Sequence, residues 1–298
     1  MPPVSFSGHE TFPPRLGWFK KAVDAVMTEP DVFSSEEALV TLGVGKNMVR
    51  SMRHWALAAG VLVPSGDRRL ALAPSPELGA PVFGPEGADP FLEDPDTVWW
   101  LHWRICSTLE RTTLWHFVFS HWAGEELVAE RIAPPLAEWL ASFGAESPAE
   151  RTLERDLQCL RAMYAPARDE ASEDALASPF ASLGLVSTAG HHPRVVRGSH
   201  ETLSATVFAC AALDFMGISE APVSLSTLVH GVGAPGRVFR LTEHRVLDLL
   251  DAISAQPESP LRFDESQGLR QVYRMPYAPP AHHLFVRSLA RHGAPLYV

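Results

Sequence analysis

Gly43-Val44-Gly45-Lys46-Asn47 has the residue types of a phosphate grip: glycines that let backbone N–H groups converge on an anion, and a lysine to meet its charge. A phosphate loop needs Gly-x-x-x-x-Gly-Lys-Ser/Thr after a strand, so that the hydroxyl can hold magnesium. Here Asn47 follows the lysine, Val40 stands where the first glycine is required, and the preceding "EEALVTL" has a helical pattern. The chemistry that remains is that of a helix entrance. Lys46 or Asn47 opens "NMVRSMRHWALAAG", whose apolar stripe is Met48, Val49, Met52, Trp55, Ala56 and Ala59 and whose polar face is Asn47, Arg50, Arg53 and His54. On a DNA-reading helix, Asn47 has the donor–acceptor pair for adenine and Arg50 or Arg53 the fork for guanine. Lys46, Arg68 and Arg69 would meet phosphates, and His54 joins the set by its place on the polar face.

Other reactive types form no constellation. Among 13 histidines, His9-Glu10, His191-His192 and His282-His283 read as loop or cap residues, without the His-x-x-x-His spacing that aims two rings at one metal. Cys106, Cys159 and Cys210 are odd in number and far apart, which fits buried thiols better than disulfides or a zinc knot. No Gly-x-Ser-x-Gly elbow occurs, and the carboxylates show no spaced pair of a nuclease or glycosidase. Trp99, Trp100, Trp103, Trp115 and Trp122 have stacking chemistry, but their helical spacing among apolar neighbours reads as core. No metal, no cofactor and no catalytic activity are expected.

The elements that position the basic residues follow from periodicity. Trp18, Phe19, Ala22, Val23 and Val26 mark a first helix; Ser34 or Ser35 caps "EEALVTL"; Gly43 ends it and Gly60 ends the next. "VLVPSGDRRLALAP" gives two short strands around Ser65-Gly66-Asp67. Helix, glycine turn, helix, basic hairpin is the order of a winged helix-turn-helix. Pro74 to Pro95 reads as a linker, and "TVWWLHWRICSTLERTTLWHFVFSHW" as an aromatic helical pair. Glu125 to Phe143 and "RTLERDLQCLRAMYA" form two helices of helix-turn-helix proportions. Asp169 to Asp174 is an acidic loop, "ETLSATVFACAALDFM" a buried helix. The region from Ser224 repeats the opening order, with a helix capped by Thr242 and strands around Ser266-Gln267-Gly268. The expected fold is mostly α with small β-hairpin wings. It has a winged helix-turn-helix in 1–75, a linker in 76–95, a helical middle in 96–222 and a winged-helix-like module in 223–298.

Charge separates these modules. The net charge is -10, which disfavours non-specific coating of nucleic acid. Yet Lys46 to Arg69 holds five cations against Asp67, a local +4 that leaves -14 for the remainder. From Ser224 to Pro276, six arginines meet six acids, and Asp248 and Asp251 on the second reading helix would repel phosphates. Only Arg237, Arg240 and Arg245 keep a secondary DNA contact open there. The chain has no apolar run of about 18 residues to span a bilayer, and "MPPVSFSGHETF" lacks the features of a secretory signal, so a cytoplasmic protein is expected.

"FSGHETFPPRLGWFKKAVDAV", "LGVGKNMVRSMRHW", "APGRVFRLTEHRVLDLLDAI" and "GLRQVYR" resemble the bacterial family known as domain of unknown function 4007, from about Phe6 to Arg274. Members typically have Leu-Lys-Lys after the Gly-Trp pair, where this chain has Phe19-Lys20-Lys21. The resemblance implies a setting beside DNA phosphorothioate-modification and other phage-defence genes, and it supplies no catalytic residues. The basic helix and the resemblance together predict a non-catalytic, double-stranded-DNA-binding component of a modification-linked defence system. A transcriptional regulator of that operon, or a scaffold recruiting modification or restriction enzymes, uses the same residues, and a homodimer remains open.

Overall fold

The computed structural model describes residues 3–66, 70–165, 178–219 and 221–292, and the acidic stretch 169–174 lies outside them. The chain is mostly helical with three small antiparallel sheets. Helix α1, Trp18–Thr28, buries Trp18, Phe19, Ala22, Val23 and Val26, the spacing that predicted it. A 3-10 turn follows at Val32–Ser34, then α2, Ala38–Leu42. Helix α2 starts later than its serine suggested. The Ser35 hydroxyl accepts from the Glu37 N–H (3.2 Å), satisfying a turn that precedes the helix. Helix α3, Lys46–Ala58, and the hairpin β1 (Leu62–Pro64) and β2 (Leu72–Pro74) complete the unit, with Val63 opposite Ala73. The Leu72 N–H donates to the Pro30 carbonyl (2.7 Å), which fastens the hairpin to the end of α1.

Residues 76–95, expected as a linker, are instead packed structure. Helix α4, Gly79–Phe83, buries Val82 and Phe83 completely, with the Phe83 ring 5.7 Å from Phe19. Its glycine is required by proximity, since a Cβ at Gly79 would lie 2.0 Å from the Val61 carbonyl oxygen. The proline and glycine content that suggested a linker therefore reports tight turns against a neighbouring backbone.

In the middle, α5 (Pro95–Ser107) has proline at its first position and the Asp94 carboxylate accepting from the Asp96 N–H (2.9 Å). Trp99, Trp100, Trp103 and Trp115 are at most 2% exposed, so these four are core, while Trp122 is half-buried against it. Helix α6, Thr113–His116, runs into a π turn at Phe117–His121. Then come α7 (Ala129–Ala141) and α8 (Glu150–Tyr164), a 3-10 turn at Pro179–Leu183, and the hairpin β3 (Val186–Ser187) and β4 (Arg194–Val195). Helix α9, Ala205–Met216, is buried along most of its length and is capped by Ser204, which also donates to Asp96 (2.7 Å).

The C-terminal region runs β5 (Val223–Ser224), α10 (Leu225–His230), α11 (Pro235–Val238), α12 (Glu243–Ser254), β6 (Leu261–Asp264) and β7 (Gln271–Arg274). Thr242 caps α12 as its sequence implied, and the strands form one antiparallel sheet in the order β5-β7-β6. Helix α13, Ala281–His292, packs on α9, with Phe285 stacked 5.3 Å from Trp100. His282 and His283 belong to this helix and not to a loop. One hydrophobic core runs from Trp18 to Leu289, so the regions share an interior. Among the described residues, no helix is long and apolar enough to cross a membrane.

Candidate nucleic-acid interface

The turn before α3 has the geometry of a helix junction. Gly43 is left-handed (φ 61°), which ends α2, whereas Gly45 is extended (φ -65°, ψ 160°) in a conformation open to any residue. Only Gly43 needs to be glycine, since a Cβ at Gly45 would meet nothing within 4 Å. Gly45 has no side chain to cap α3, and Gly45 and Lys46 are both exposed. The preceding element is a helix, and the phosphate-loop reading has no strand to stand on.

Lys46, Asn47 and Arg50 are exposed and Arg53 is half-buried. Their spacing places them on one side of α3. Arg50 Nη1 lies 3.3 Å from Glu10 Oε1 in an exposed pair, worth under about 1 kcal/mol and easily exchanged for a phosphate. Burial and the charge of Arg111 lower the Arg53 pKa, so Arg111 is a further cation near Arg53. Nothing in its segment of sequence, between α5 and α6, marked it. Arg68 and Arg69, expected to meet phosphates from the hairpin, lie outside the described residues.

His54 is corrected. It is only 9% exposed, its ring is 5.0 Å from Trp55, and it fills the space a side chain at Gly8 would need. Burial, with His9, Arg111 and Arg53 nearby, depresses its pKa to about 3, so it is a neutral interior group that cannot reach a groove. The helical wheel assigned it to the polar face because the wheel did not include the N-terminal segment covering that face.

That segment is the main feature missed by sequence reasoning. Ser7, Glu10 and Thr11 all have positive φ (63°, 48° and 66°), a cluster of strained backbone that must be held from outside. Asp156 on α8, 1% exposed, does so. It accepts from the Ser7 N–H (3.0 Å) and from His9 Nε2 (3.0 Å). The Thr11 N–H donates to His9 Nδ1 (3.0 Å), which fixes the ring proton on Nε2. His9, expected as a loop or cap histidine, is thus 1% exposed and ties the N-terminus to α8. Phe12 then offers its carbonyl to Trp55 Nε1 (2.8 Å) and Ser51 Oγ (3.0 Å), which sets the position of α3.

The secondary arginines are corrected as groove readers. Arg240 is 3% exposed, and burial together with Arg197 and Arg237 lowers its pKa to about 10. Arg245 donates to the Ser199 and Leu203 carbonyls (2.9 and 3.0 Å), and Arg237 to those of His121 and His230 (2.7 and 3.2 Å). All three join α11 and α12 to the middle region. Asp248 and Asp251 are exposed on α12, which leaves that helix surface acidic.

The three cysteines are buried and unpaired by disulfides, and burial raises each thiol well above its ordinary pKa, opposite to what a nucleophile needs. Among the described residues, no group of three or more His, Cys, Asp or Glu side chains is arranged to hold a metal ion.

Residues 6–285 match the model of the family described as Protein of unknown function (DUF4007). The chain belongs to this family. The match begins at Phe6 and so includes the strained segment and α3, and it ends within the first part of α13. Two solved structures share the fold along nearly the whole chain. An SspB crystal structure aligns with TM-score 0.83 and 29% identity over 97% of this chain and 87% of that one. A magnesium ion-bound SspB crystal structure aligns with TM-score 0.82 and 28% identity over 97% and 95%. No curated protein matches the chain.

Proposed function

We propose that the protein binds double-stranded DNA, with α2, the Gly43 turn and α3 acting as a helix-turn-helix and the β1–β2 hairpin as its wing. The observation that carries this reading is the row of Lys46, Asn47, Arg50 and Arg53 on an outward side of α3, with Arg111 adding charge beside it. In a molecule of net charge -10, such a cationic face is a directed electrostatic footprint. The β5–α12 region, whose strand order β5-β7-β6 fits a second winged helix, is a structural partner module because its equivalent helix is acidic.

Family membership and the fold shared with SspB support a role in phosphorothioate-linked phage defence, as the sequence resemblance implied, and they bear on catalysis in neither direction. Reading modified DNA, recruiting modification or restriction enzymes, and regulating the operon all use the same face. The test is salt-dependent binding to duplex DNA. Arg50→Glu/Arg53→Glu, on exposed and half-exposed positions, is expected to abolish it with the fold intact, and equal binding by this variant would reject the assignment.

A second reading, metal-assisted chemistry on DNA, is favoured by the magnesium ion in one of the SspB structures. Magnesium needs only one or two carboxylates with water and substrate oxygens. Incubating supercoiled plasmid with the protein and magnesium decides it: relaxed or linear product supports the reading, and intact plasmid opposes it.

A further inference from the structure

The π turn Phe117–His121 ends beside α7 and α11, where aromatic and cationic side chains meet at the surface. The His121 ring lies 4.6 Å from Trp139 and 5.4 Å from His116, and all three are partly exposed. Arg237 donates to the His121 carbonyl (2.7 Å), which places a guanidinium at the edge of this shelf. Arg240 follows, donating to the Gly124 carbonyl at 3.5 Å, and Arg197 donates to the Leu241 carbonyl at 3.2 Å. Burial and the charge of Arg197 lower the Arg237 pKa, and burial with Arg197 and Arg237 lowers that of Arg240, where exposed Glu125 acts in the opposite sense. Nε of Arg240 and Nε of Arg237 are buried without a hydrogen-bond partner.

The backbone carbonyls that accept from these three guanidinium groups supply dipoles but no net negative charge, so the corner stays positive and would be stabilised by an anion. The local backbone is also irregular in two independent places. The helix has a π turn at 117–121, and Arg240, a non-glycine residue, is left-handed at φ 54°. Such distortions concentrate at ligand sites. His121 has its pKa depressed to about 4 by burial, His116 and Arg237, so its ring is neutral and suited to stacking.

We propose that this corner binds an unpaired nucleotide, with its base against Trp139 and His121 and its phosphate against the accessible Arg237 and Arg197, while buried Arg240 adds positive charge behind them. Aromatic faces beside arginines recognise single-stranded nucleic acid without requiring a base sequence. The inference rests on nucleic acid being the ligand and does not depend on α3. The nucleotide comes from a displaced strand or from a free mononucleotide, and the same phosphate-plus-base chemistry serves both.

The full chain is titrated with a fluorescent single-stranded oligonucleotide, a duplex of the same sequence, a nucleoside monophosphate and inorganic phosphate. Trp139→Ala is expected to weaken single-strand binding by about five- to hundredfold, the range of a lost base stack, while Trp139→Phe retains most of it. Arg197→Glu, on an exposed side chain that leaves the core untouched, is expected to weaken it at least tenfold, about one lost charge-assisted contact. Duplex binding should be unchanged in these variants, whereas Arg50→Glu/Arg53→Glu should lose duplex binding and retain the single strand. Saturation by the mononucleotide identifies the free nucleotide as sufficient, and saturation by the oligonucleotide alone identifies the strand. Wild-type affinity for both nucleotide ligands in Arg197→Glu, or equal loss of duplex and single strand, overturns the proposal. So does wild-type protein that binds neither.

Discussion

Replacing Asp156 with alanine should show what holds the face of α3 in position. The carboxylate is 1% exposed and accepts from the Ser7 N–H and from His9 Nε2, each at 3.0 Å. Alanine leaves both N–H donors without this partner, as well as the partly exposed Ser7 hydroxyl (3.3 Å), which can turn to water; a buried unsatisfied donor costs about 1–3 kcal/mol. The two sum to about 2–6 kcal/mol, a large part of a typical domain stability of about 5–15 kcal/mol. Left without its anchor, the backbone at Ser7, Glu10 and Thr11 would relax from positive φ. Phe12 would then withdraw the carbonyl that Trp55 and Ser51 share. Urea denaturation should therefore give an unfolding free energy lower by at least about 2 kcal/mol. Duplex binding should weaken in the same variant although Asp156 carries the wrong charge to touch DNA. Asp156→Asn retains one acceptor oxygen and should fall between alanine and wild type. An Asp156→Ala protein within about 0.5 kcal/mol of wild type would refute the role assigned to this carboxylate.

Three further outcomes follow from the packing. His54 and His102 are buried with pKa values depressed to about 3 and about 4, against 6.5 when unfolded. The unfolded chain then binds more protons below pH 6.5, so stability falls as pH falls. At about pH 5 each costs ~2 kcal/mol relative to neutral pH. The unfolding free energy from denaturation should show a combined loss of ~4 kcal/mol from these two groups, and His102→Gln should remove about half of that slope; a flat profile would contradict both burial assignments. Gly79→Ala should destabilise strongly, because its Cβ would lie 2.0 Å from the Val61 carbonyl, while Gly45→Ala should be neutral or slightly stabilising by thermal melting. Cys106, Cys159 and Cys210 should resist a thiol reagent in the native protein and react together after unfolding; rapid native labelling would show that one is accessible.

Local signals in the sequence were readable where local chemistry decides the outcome. The stripe of α1, the start of α3, the Thr242 cap and the C-terminal hairpin all came from periodicity and turn residues within a few positions. Lys46, Asn47, Arg50 and Arg53 were placed on an outward or half-outward side for the same reason. Long-range packing was not readable. His54 lost its polar side to a segment more than 40 residues upstream, and His9 gained a carboxylate 147 residues away. Arg240 has a surface residue's composition but lies at the junction of α11 with the loop after the π turn. The supposed linker failed for a related reason: Gly79 and its neighbours signal close approach to another backbone as readily as they signal a flexible join.

The most direct measurement is duplex binding by anisotropy across a salt series, with phosphorothioated and plain DNA of the same sequence, for wild type and Arg50→Glu/Arg53→Glu. Wild-type protein should bind with an affinity that falls steeply with salt, and the variant should lose binding while keeping its melting profile. A preference for the modified duplex would identify a reader of the modification. Absence of wild-type binding at low salt, or undiminished binding by the charge-reversed variant, would contradict α3 as the DNA-contacting helix.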